Sequence, residues 1–249
     1  MKHLVIIPTY NEKENVAAII EAVMDLGGMD VLIVDDGSPD GTATIVRDIQ
    51  SKNKYTQQIH LIEREGKLGL GTAYIRGFKF GLEHGYDIIN EMDADFSHPP
   101  KDLLRLRQTI MDGADVAIGS RYIHGGGFVN WSRLRIFISK GGSAYVRLMT
   151  KMPIKDPTAG FVAYSSTFLR SFDLDQVEFT GYGFQIEMKY IAYRLGFKLV
   201  EIPIIFKDRE LGTSKMNISI INEAINGVLK LIRRDIQSYY KAQTTQKVA

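Results

Sequence analysis

The residues of this chain that are best suited to chemistry are two carboxylates one residue apart, in Asp93-Ala94-Asp95. They directly follow residues 86–92, an apolar segment that predicts a strand. Two carboxylates at the end of one strand can face the same hard cation, because such cations prefer oxygen ligands. The cation can in turn hold a diphosphate. Since the same short motif also occurs in ordinary turns, its interpretation depends on the rest of the chain.

A second acidic pair, Asp35-Asp36, ends the apolar segment of residues 31–34. A carboxylate at such a position can accept hydrogen bonds from the base or ribose of a nucleotide. The alternative is a simple turn, for which Gly37 and Gly41 supply suitable chemistry. A turn requires glycines but does not require two adjacent carboxylates, so we favour nucleotide contact.

Cationic side chains form the second informative set. Arg135 and Ser139 are four residues apart and share one face of a predicted helix, and Arg121 precedes them. Arg209 and Lys215 lie in a glycine-containing loop directly after a predicted strand. Arginine makes forked contacts to phosphate oxygens. Isolated arginines are usually exposed surface charges, but the loop position and the apolar surroundings of Arg135 favour a phosphate site.

Two weaker signals accompany these sets. Lys67, Gly69 and Gly71 precede a predicted helix, so Lys67 and the backbone amides could face an anion. The segment is not a Walker loop, because no Gly-Lys-Ser/Thr triplet has the required spacing. His98 follows the acidic motif and is interpreted as a turn or supporting residue. No Ser-His-Asp or His-Glu-x-x-His pattern indicates hydrolase chemistry.

Strands and helices alternate through the first half of the chain. The first predicted helix opens with Asn11 as N-cap and Glu14 three residues later. This alternation predicts an α/β fold with a mainly parallel sheet flanked by helices, which binds ligands at the carboxyl ends of its strands. The predicted strands are residues 4–7, 31–34, 59–62, 88–92 and 115–119.

In the second half of the chain, strands and helices no longer alternate regularly. A helix is predicted from an apolar stripe, followed by a strand at 161–164, a helix at 184–195 and a strand at 199–206. We predict one domain, residues 1–215, and an extension, residues 216–249, with an amphipathic helix and a disordered tail. The residues of the stripe are Trp131, Leu134, Ile138, Gly141, Tyr145 and Leu148.

Composition restricts the class of protein. The 249 residues, 45% of them apolar, can bury one substantial core. A net charge of +2 does not favour nucleic acid as a partner. The absence of cysteine excludes disulfides and fits a reducing compartment. Neither a signal peptide nor an apolar run of about 20 residues is present, so we expect a soluble or peripheral cytoplasmic protein.

Several segments resemble a known family. Residues 8–12, 34–42 and 92–99 are similar to inverting glycosyltransferases with the nucleotide-sugar-binding GT-A fold. Other segments resemble dolichyl- and polyprenyl-phosphate mannose synthases, and the similarity extends from about Leu4 to Ile221. These segments are residues 68–74, 119–122, 125–127 with Trp131, Arg135 and Ser139, then 156–160, 184–188 and 203–215.

The resemblance implies a GT-A catalytic domain over residues 1–215 that transfers mannose from GDP-mannose to a polyprenyl phosphate. It implies that Asp93 and Asp95 bind Mg²⁺ or Mn²⁺, and that Asp95, Arg121 and Arg135 are catalytic. Some members have Gln at the position of Ser97, so a third metal ligand is not assigned. The implied nucleotide-sugar contacts are Pro8, Tyr10, Glu12, Asp36, Lys67, Asp93 and Ala94, with Arg209 and Lys215 on the donor phosphates. The implied acceptor-phosphate contacts are Arg121, Arg135 and Ser139.

The residue inventory fits a phosphate acceptor. A sugar hydroxyl needs a general base, whereas a phosphate monoester, with a second pKa of about 6, is already anionic near neutral pH. Two alternatives remain: a related transferase that moves glucose or N-acetylhexosamine from a UDP-sugar to a lipid phosphate or glycan, and a non-catalytic nucleotide-sugar-binding module. Gln-x-x-Arg-Trp, the motif of processive polysaccharide synthases, is absent.

A lipid acceptor also implies a membrane surface. Residues 128–140 and the last predicted helix are basic and amphipathic, as expected for a peripheral protein on the cytoplasmic face of a membrane. The alternative is that both apolar stripes pack on the catalytic domain.

Overall fold

A computed structural model describes residues 1–52, 57–181, 183–208, 227–234 and 236. Its strands are β1 (His3–Thr9), β2 (Asp30–Asp35), β3 (Ile59–Glu63), β4 (Ile88–Glu91), β5 (Val116–Ser120), β6 (Gly127–Val129), β7 (Val162–Ser165), β8 (Leu199–Pro203) and β9 (Ile205–Lys207). Its helices are α1 (Val16–Met24), α2 (Thr42–Lys52), α3 (Leu70–Glu83), α4 (Asp102–Met111), α5 (Arg133–Thr150), α6 (Ser166–Leu169) and α7 (Gly183–Arg194). Residues 227–232 form a further helix, here called the C-terminal helix.

Seven strands form one sheet in the order β3-β2-β1-β4-β7-β5-β8. All its pairings are parallel except those of β7, which runs antiparallel to β4 and β5. Successive side chains of a strand point to opposite faces, so Leu4 and Ile6 pack in one apolar cluster while Val5 and Ile7 pack in another. Because helices cover both faces, the strands are continuous apolar runs. The predicted mainly parallel α/β sheet is confirmed.

The strand predicted at residues 199–206 is wrong, because two strands occupy this segment. β8 pairs with β5 in the large sheet, whereas β9 pairs with β6 in a separate two-stranded sheet. Pro203 ends β8 and has no amide hydrogen to continue the ladder. Ile204 then buries its side chain in the core and donates its N–H to the Ser120 carbonyl over 3.0 Å. The break directs β9 towards the ends of the other strands.

The predicted start of the first helix is also wrong. Asn11 has φ of 57°, in the left-handed region that asparagine tolerates, and α1 begins only at Val16. The carbonyl of Glu12 accepts the N–H groups of Asn15 and Val16 in an intervening turn. This turn keeps Tyr10 and Glu12 at the end of β1 instead of inside a helix.

The two predicted amphipathic helices differ in how they are covered. α5 forms as predicted, but its stripe faces solvent, with Leu134 68% and Ile138 50% exposed. In the C-terminal helix, Val228 and Leu231 are buried in the core. The boundary predicted at residue 215 and the predicted tail lie outside the described residues. Within the described part of the chain, no helix has the length and apolar character needed to cross a membrane.

Candidate functional site

A cavity of about 480 Å³ opens at the carboxyl ends of β1, β2 and β4. Ser139 does not line it, and Arg209 and Lys215 lie outside the described residues. The predicted site residues that line the cavity are Pro8, Tyr10, Glu12, Asp36, Lys67, Asp93, Ala94, Asp95, Arg121 and Arg135. The fold therefore brings most of the predicted residues together.

The acidic motif presents its two carboxylates differently. The Asp95 side chain is buried and accepts the Ser97 N–H over 3.1 Å, whereas the Asp93 side chain is 41% exposed. His98 Nδ1 accepts the Asp93 N–H over 3.2 Å. Burial lowers the pKa of His98 to about 4, so the ring is neutral near pH 7 and forms no ion pair with Asp93. His98 thus supports the backbone of the motif as a neutral acceptor.

The donor atoms around this motif fit a hard cation. Among the described residues, no group of three His, Cys, Asp or Glu side chains could hold a metal ion by itself. Mg²⁺ commonly uses one or two carboxylates and takes its remaining ligands from substrate phosphates and water. The Ser97 hydroxyl oxygen is buried at the cavity and has no hydrogen-bond partner within the described part of the chain. It is therefore an available third oxygen beside Asp93 and Asp95.

The two residues of the Asp35-Asp36 pair have different roles: one stabilises a turn, and the other faces the cavity where a nucleotide could bind. Asp35 accepts the Thr9 hydroxyl and the Ser38 N–H, both over 2.8 Å, so it stabilises the turn and does not line the cavity. Asp36 lines the cavity and accepts Arg64 Nε over 2.6 Å. Burial raises the pKa of Asp36, although the Arg64 charge opposes this shift. Arg64 was not singled out from sequence because nothing in its local spacing indicates this contact.

Gly71, in the first turn of α3, serves packing instead of anion binding. The Gly71 N–H donates to the Thr180 carbonyl over 2.8 Å, so an anion cannot use it. A Cβ atom on Gly71 would lie 2.4 Å from the Phe179 carbonyl oxygen. The Gly71 amide is therefore not available to an anion, while the prediction for Lys67 and the other amides of this segment stays a prediction. Lys67 does line the cavity, with Nζ 5.2 Å from the centre of the Tyr10 ring.

Arg121 is held by a buried aspartate. Its Nε and Nη2 donate to the two carboxylate oxygens of Asp156 over 2.7 Å each, and Nη2 also donates to the Thr158 hydroxyl over 2.8 Å. Nη1 has no hydrogen-bond partner among the described residues, so only this nitrogen remains for a ligand. Burial alone would raise the pKa of Asp156, but the charge and hydrogen bonds of Arg121 lower it below its ordinary value. Sequence reasoning assigned no role to Asp156.

Arg135 sits on the same cavity in a more open environment. Its guanidinium carbon lies 3.8 Å from the centre of the Trp131 ring, and Nη1 donates to Asp208 over 2.9 Å. Ser139, four residues further along α5, shares a 2.6 Å hydrogen bond with the Tyr122 hydroxyl. Ser139 is thus close to Arg121 only through Tyr122, whose ring centre is 5.2 Å from the Arg121 guanidinium carbon.

Comparison with known proteins agrees with this arrangement. The family model described as Glycosyl transferase family 2 matches residues 4–176. The chain belongs to glycosyl transferase family 2. This glycosyltransferase is 46% identical over 231 residues to an undecaprenyl-phosphate mannosyltransferase of Micrococcus luteus, covering 92% of this chain and 93% of the relative. It is 45% identical over 223 residues to a polyprenol monophosphomannose synthase of Mycolicibacterium smegmatis, covering 89% and 83%.

More distant relatives agree with the fold. A dolichol-phosphate mannosyltransferase of Pyrococcus furiosus is 38% identical over 238 residues, covering 94% of this glycosyltransferase and 64% of the relative. The crystal structure of mannosyl-3-phosphoglycerate synthase from Rubrobacter xylanophilus is 16% identical with a TM-score of 0.66, covering 96% of this chain and 74% of that one. This likeness, with the sheet described above, identifies the predicted GT-A type of fold.

Beneath the cavity, the glycosyltransferase buries a polar network that sequence reasoning also missed. Gln185 lines the cavity and donates to Glu91 over 2.7 Å, while Lys189 Nζ donates to the Ala159 carbonyl over 2.6 Å and to Gln185 Oε1 over 3.1 Å. Burial raises the pKa of Glu91 and lowers that of Lys189, each to about 8. The network joins the end of β4 to the turn that holds Arg121.

Proposed function

We propose that this enzyme transfers mannose from GDP-mannose to a polyprenyl phosphate with inversion of the anomeric carbon. The observation that carries the proposal is one cavity with the Asp93 and Asp95 carboxylates and the guanidinium groups of Arg121 and Arg135. The first pair suits a cation on a donor diphosphate, and the second pair suits an acceptor phosphate. The names of the bacterial relatives at 45% and 46% identity support mannose and a polyprenyl phosphate.

The proposed reaction is a single displacement. An oxygen of the acceptor phosphate attacks C1 of the sugar, and the bond from C1 to the donor diphosphate breaks, so that GDP leaves with the electron pair. The phosphate monoester is a dianion above its second pKa of about 6, so no proton has to be removed. Arg121 Nη1 and the Arg135 guanidinium would orient this dianion. Direct attack gives a β-linked product from an α-linked donor.

A divalent cation, Mg²⁺ or Mn²⁺, belongs to this proposal. Asp93 and Asp95 would hold it, with the Ser97 hydroxyl as a further oxygen. Its chemical contribution is to neutralise charge on the departing diphosphate. His98 supports the motif by accepting the Asp93 N–H.

We also propose that the enzyme works at the cytoplasmic surface of a membrane. Leu134, Phe137 and Ile138 are exposed on α5, and Phe137 is the most exposed of them at 76%. Arg133 and Lys140 lie on the same part of the helix. Exposed apolar side chains beside cations are typical of helices that bind at a lipid interface. Arg135, on the same helix, would then meet a phosphate carried by a lipid.

The test is a panel of labelled GDP-mannose, UDP-glucose and UDP-N-acetylglucosamine, each offered a short polyprenyl phosphate or the corresponding polyprenol. We expect transfer only from GDP-mannose to the phosphate, and a β-linked product by NMR. Preferred use of a UDP-sugar would replace the donor assignment, and transfer to the polyprenol would contradict the phosphate acceptor. Binding without transfer would instead support a nucleotide-sugar-binding module.

The metal is tested with Asp95→Ala. We expect transfer to be lost while the thermal midpoint stays near that of the parent enzyme, because Asp95 lies at the cavity instead of in an apolar cluster. Removal of divalent ions with a chelator should have the same effect, and Mg²⁺ or Mn²⁺ should restore transfer only in the parent. Undiminished turnover of Asp95→Ala would contradict the assignment.

A further inference from the structure

The C-terminal helix lies beyond residues 4–176, the segment that the family model matches, yet it packs against Phe179, the residue before the cavity-lining Thr180. Its Val228 and Leu231 are buried in the core. Directly after the helix, Arg234 forms ion pairs with Glu178 and Glu187, and its Nη1 donates to Glu187 Oε1 over 3.1 Å. The Arg234 side chain is only 9% exposed and the Glu187 side chain is fully buried. The helix is thus fastened by a buried ion pair.

The carboxylate that Arg234 binds also holds a backbone segment. Glu187 Oε2 accepts the N–H of Glu178 over 3.1 Å and that of Phe179 over 2.8 Å. One oxygen of Glu187 therefore faces Arg234 while the other fixes the backbone at residues 178–179. Loss of Arg234 would remove a positive charge that compensates the desolvation of the fully buried Glu187 carboxylate.

The segment that Glu187 fixes continues into the cavity wall. Thr180 and Gly181 line the cavity beside Gly69, on the side where Lys67 lies. The Thr180 carbonyl accepts the Gly71 N–H over 2.8 Å. The two segments pack too closely to admit a side chain at Gly69, because a Cβ atom there would lie 2.9 Å from the Thr180 carbonyl oxygen.

The C-terminal helix closes the other side of this wall. A Cβ atom on Gly227 would lie 2.6 Å from the Phe179 ring, and the Arg234 guanidinium carbon is 6.0 Å from the centre of that ring. The segment of residues 178–181 therefore lies between the start of α3 and the C-terminal helix. A displacement of either neighbour would move Thr180 and Gly181 relative to the donor side of the cavity.

We infer that Arg234 is a positioning residue for nucleotide-sugar binding: through Glu187 it sets the cavity wall formed by Thr180 and Gly181. The inference rests on the proposed function only in assigning this side of the cavity to the donor. The inference makes Arg234, which lies outside the segment that the family model matches, necessary for full donor binding.

The chain offers a matched control. Lys230 also binds Glu178, with Nζ 2.6 Å from Oε2, but its side chain is 63% exposed and the structure gives it no contact with Glu187. Arg234→Met and Lys230→Met therefore each remove one cation from the same helix end, and only the first removes the buried contact. Arg234→Lys serves as a second variant that keeps the charge if Arg234→Met proves unstable.

The first measurement is isothermal titration with GDP, paired with steady-state kinetics. We expect Arg234→Met to bind GDP about 10-fold more weakly and to raise the donor KM, with the acceptor KM near that of the parent. The GDP affinity and donor KM of Arg234→Lys should lie between those of Arg234→Met and the parent. Lys230→Met should match the parent in both quantities. Equal effects of Arg234→Met and Lys230→Met, or equal changes in both KM values, would show a general stability effect and overturn the inference.

The second measurement is amide hydrogen exchange without ligand, which does not depend on the proposed function. We expect Arg234→Met to accelerate exchange at Phe179 and Gly71, whose N–H groups bond to Glu187 and to the Thr180 carbonyl. Lys230→Met should leave both amides protected. If the parent binds no GDP, the donor assignment fails while exchange still decides whether Arg234 positions the wall. Unchanged protection of Phe179 and Gly71 in Arg234→Met would overturn the inference that Arg234 positions the wall.

Discussion

Two arginine–aspartate pairs on the same cavity are built in opposite ways. Arg121 and Asp156 have side chains that are 10% and 0% exposed, and two nitrogens of the arginine meet both oxygens of the carboxylate. Arg135 and Asp208 are 32% and 34% exposed and share one hydrogen bond of 2.9 Å. A buried pair is costly to break, whereas a partly exposed pair contributes little. The first pair is a fixed part of the site, and the second can exchange its partner.

The surroundings of each pair reinforce this difference. Glu201 accepts the N–H groups of Lys155 and Asp156, and Lys189 donates to the Ala159 carbonyl, so the turn around Asp156 is held from two sides. Asp208 instead follows β9, a three-residue strand in the two-stranded sheet. We expect an arriving phosphate to find Arg121 already oriented and to displace Asp208 from Arg135.

The largest effect is expected from Asp156→Asn. The substitution leaves Arg121 as a buried charge without its directly paired carboxylate, so the free energy of unfolding should fall by about 3 kcal/mol. Transfer should fall by about 100-fold, because the arginine loses its fixed orientation. Urea unfolding and steady-state kinetics measure the two effects. As a control, Asp175→Asn in the exposed pair with Lys79 should change stability by less than about 1 kcal/mol. A similar small change in Asp156→Asn would remove the contrast between the pairs.

The second effect is pH dependence on the buried side of the cavity. His98 stacks on Phe161 with ring centres 4.9 Å apart, and burial lowers its pKa from 6.5 to about 4. Between these values the unfolded chain binds a proton that the folded protein does not. The free energy of unfolding is therefore not reduced by this group above about pH 6.5. It falls as the pH is lowered towards 4, by about 3 kcal/mol. Urea unfolding from pH 4 to 7 should show a flatter profile for His98→Gln, whereas His124→Gln at an exposed position should keep the parent profile.

The third effect concerns the exposed pair. Arg135→Lys keeps the charge but loses the planar group that stacks on Trp131, so kcat/KM for the acceptor should fall by about 10-fold. Donor nucleotide affinity, measured by isothermal titration without acceptor, should stay near that of the parent. A loss confined to nucleotide binding would place Arg135 on the donor diphosphate, and no change in either quantity would make it a plain surface charge.

The smallest effect, in the opposite direction, is expected from Asp208→Asn. If Asp208 only occupies Arg135 until the acceptor arrives, its removal should lower the acceptor KM by about 1.4- to 5-fold, since partly exposed pairs are worth about 0.2–1 kcal/mol. Kinetics with a short polyprenyl phosphate provide the measurement. An increase in KM would mean that Asp208 orients Arg135 as Asp156 orients Arg121, and the two pairs would then be alike.

The sequence predicted which residues lie at the carboxyl ends of the strands, because chain order and the hydrophobic period determine those positions. Pro8, Asp36 and Asp93 each lie at or just beyond the end of a segment predicted as an apolar strand, and parallel strands bring such positions to one edge of the sheet. All three line the cavity. Neither the period nor the motif spacing could separate Asp35 from Asp36, because the division depends on the Thr9 hydroxyl and the Ser38 N–H donating to the carboxylate of Asp35.

Partners distant in the chain could not be predicted. Asp156 follows Arg121 by 35 positions, and Gln185 follows Glu91 by 94, so no local pattern links them. The apolar stripe of α5 was correct as a helix signal, but a period does not tell whether anything covers the stripe. Leu134 is exposed because no described element packs over it.

Trp131 is the only tryptophan among the 249 residues, and it lies at the cavity directly against the Arg135 guanidinium. Indole emission is sensitive to the charge and polarity around the ring. The unlabelled enzyme therefore carries a single optical reporter at the position where the acceptor phosphate is proposed to bind, with no second fluorophore of the same kind to obscure it. Occupancy of that position can be followed in real time, at lipid concentrations and on vesicle surfaces where turnover is difficult to measure.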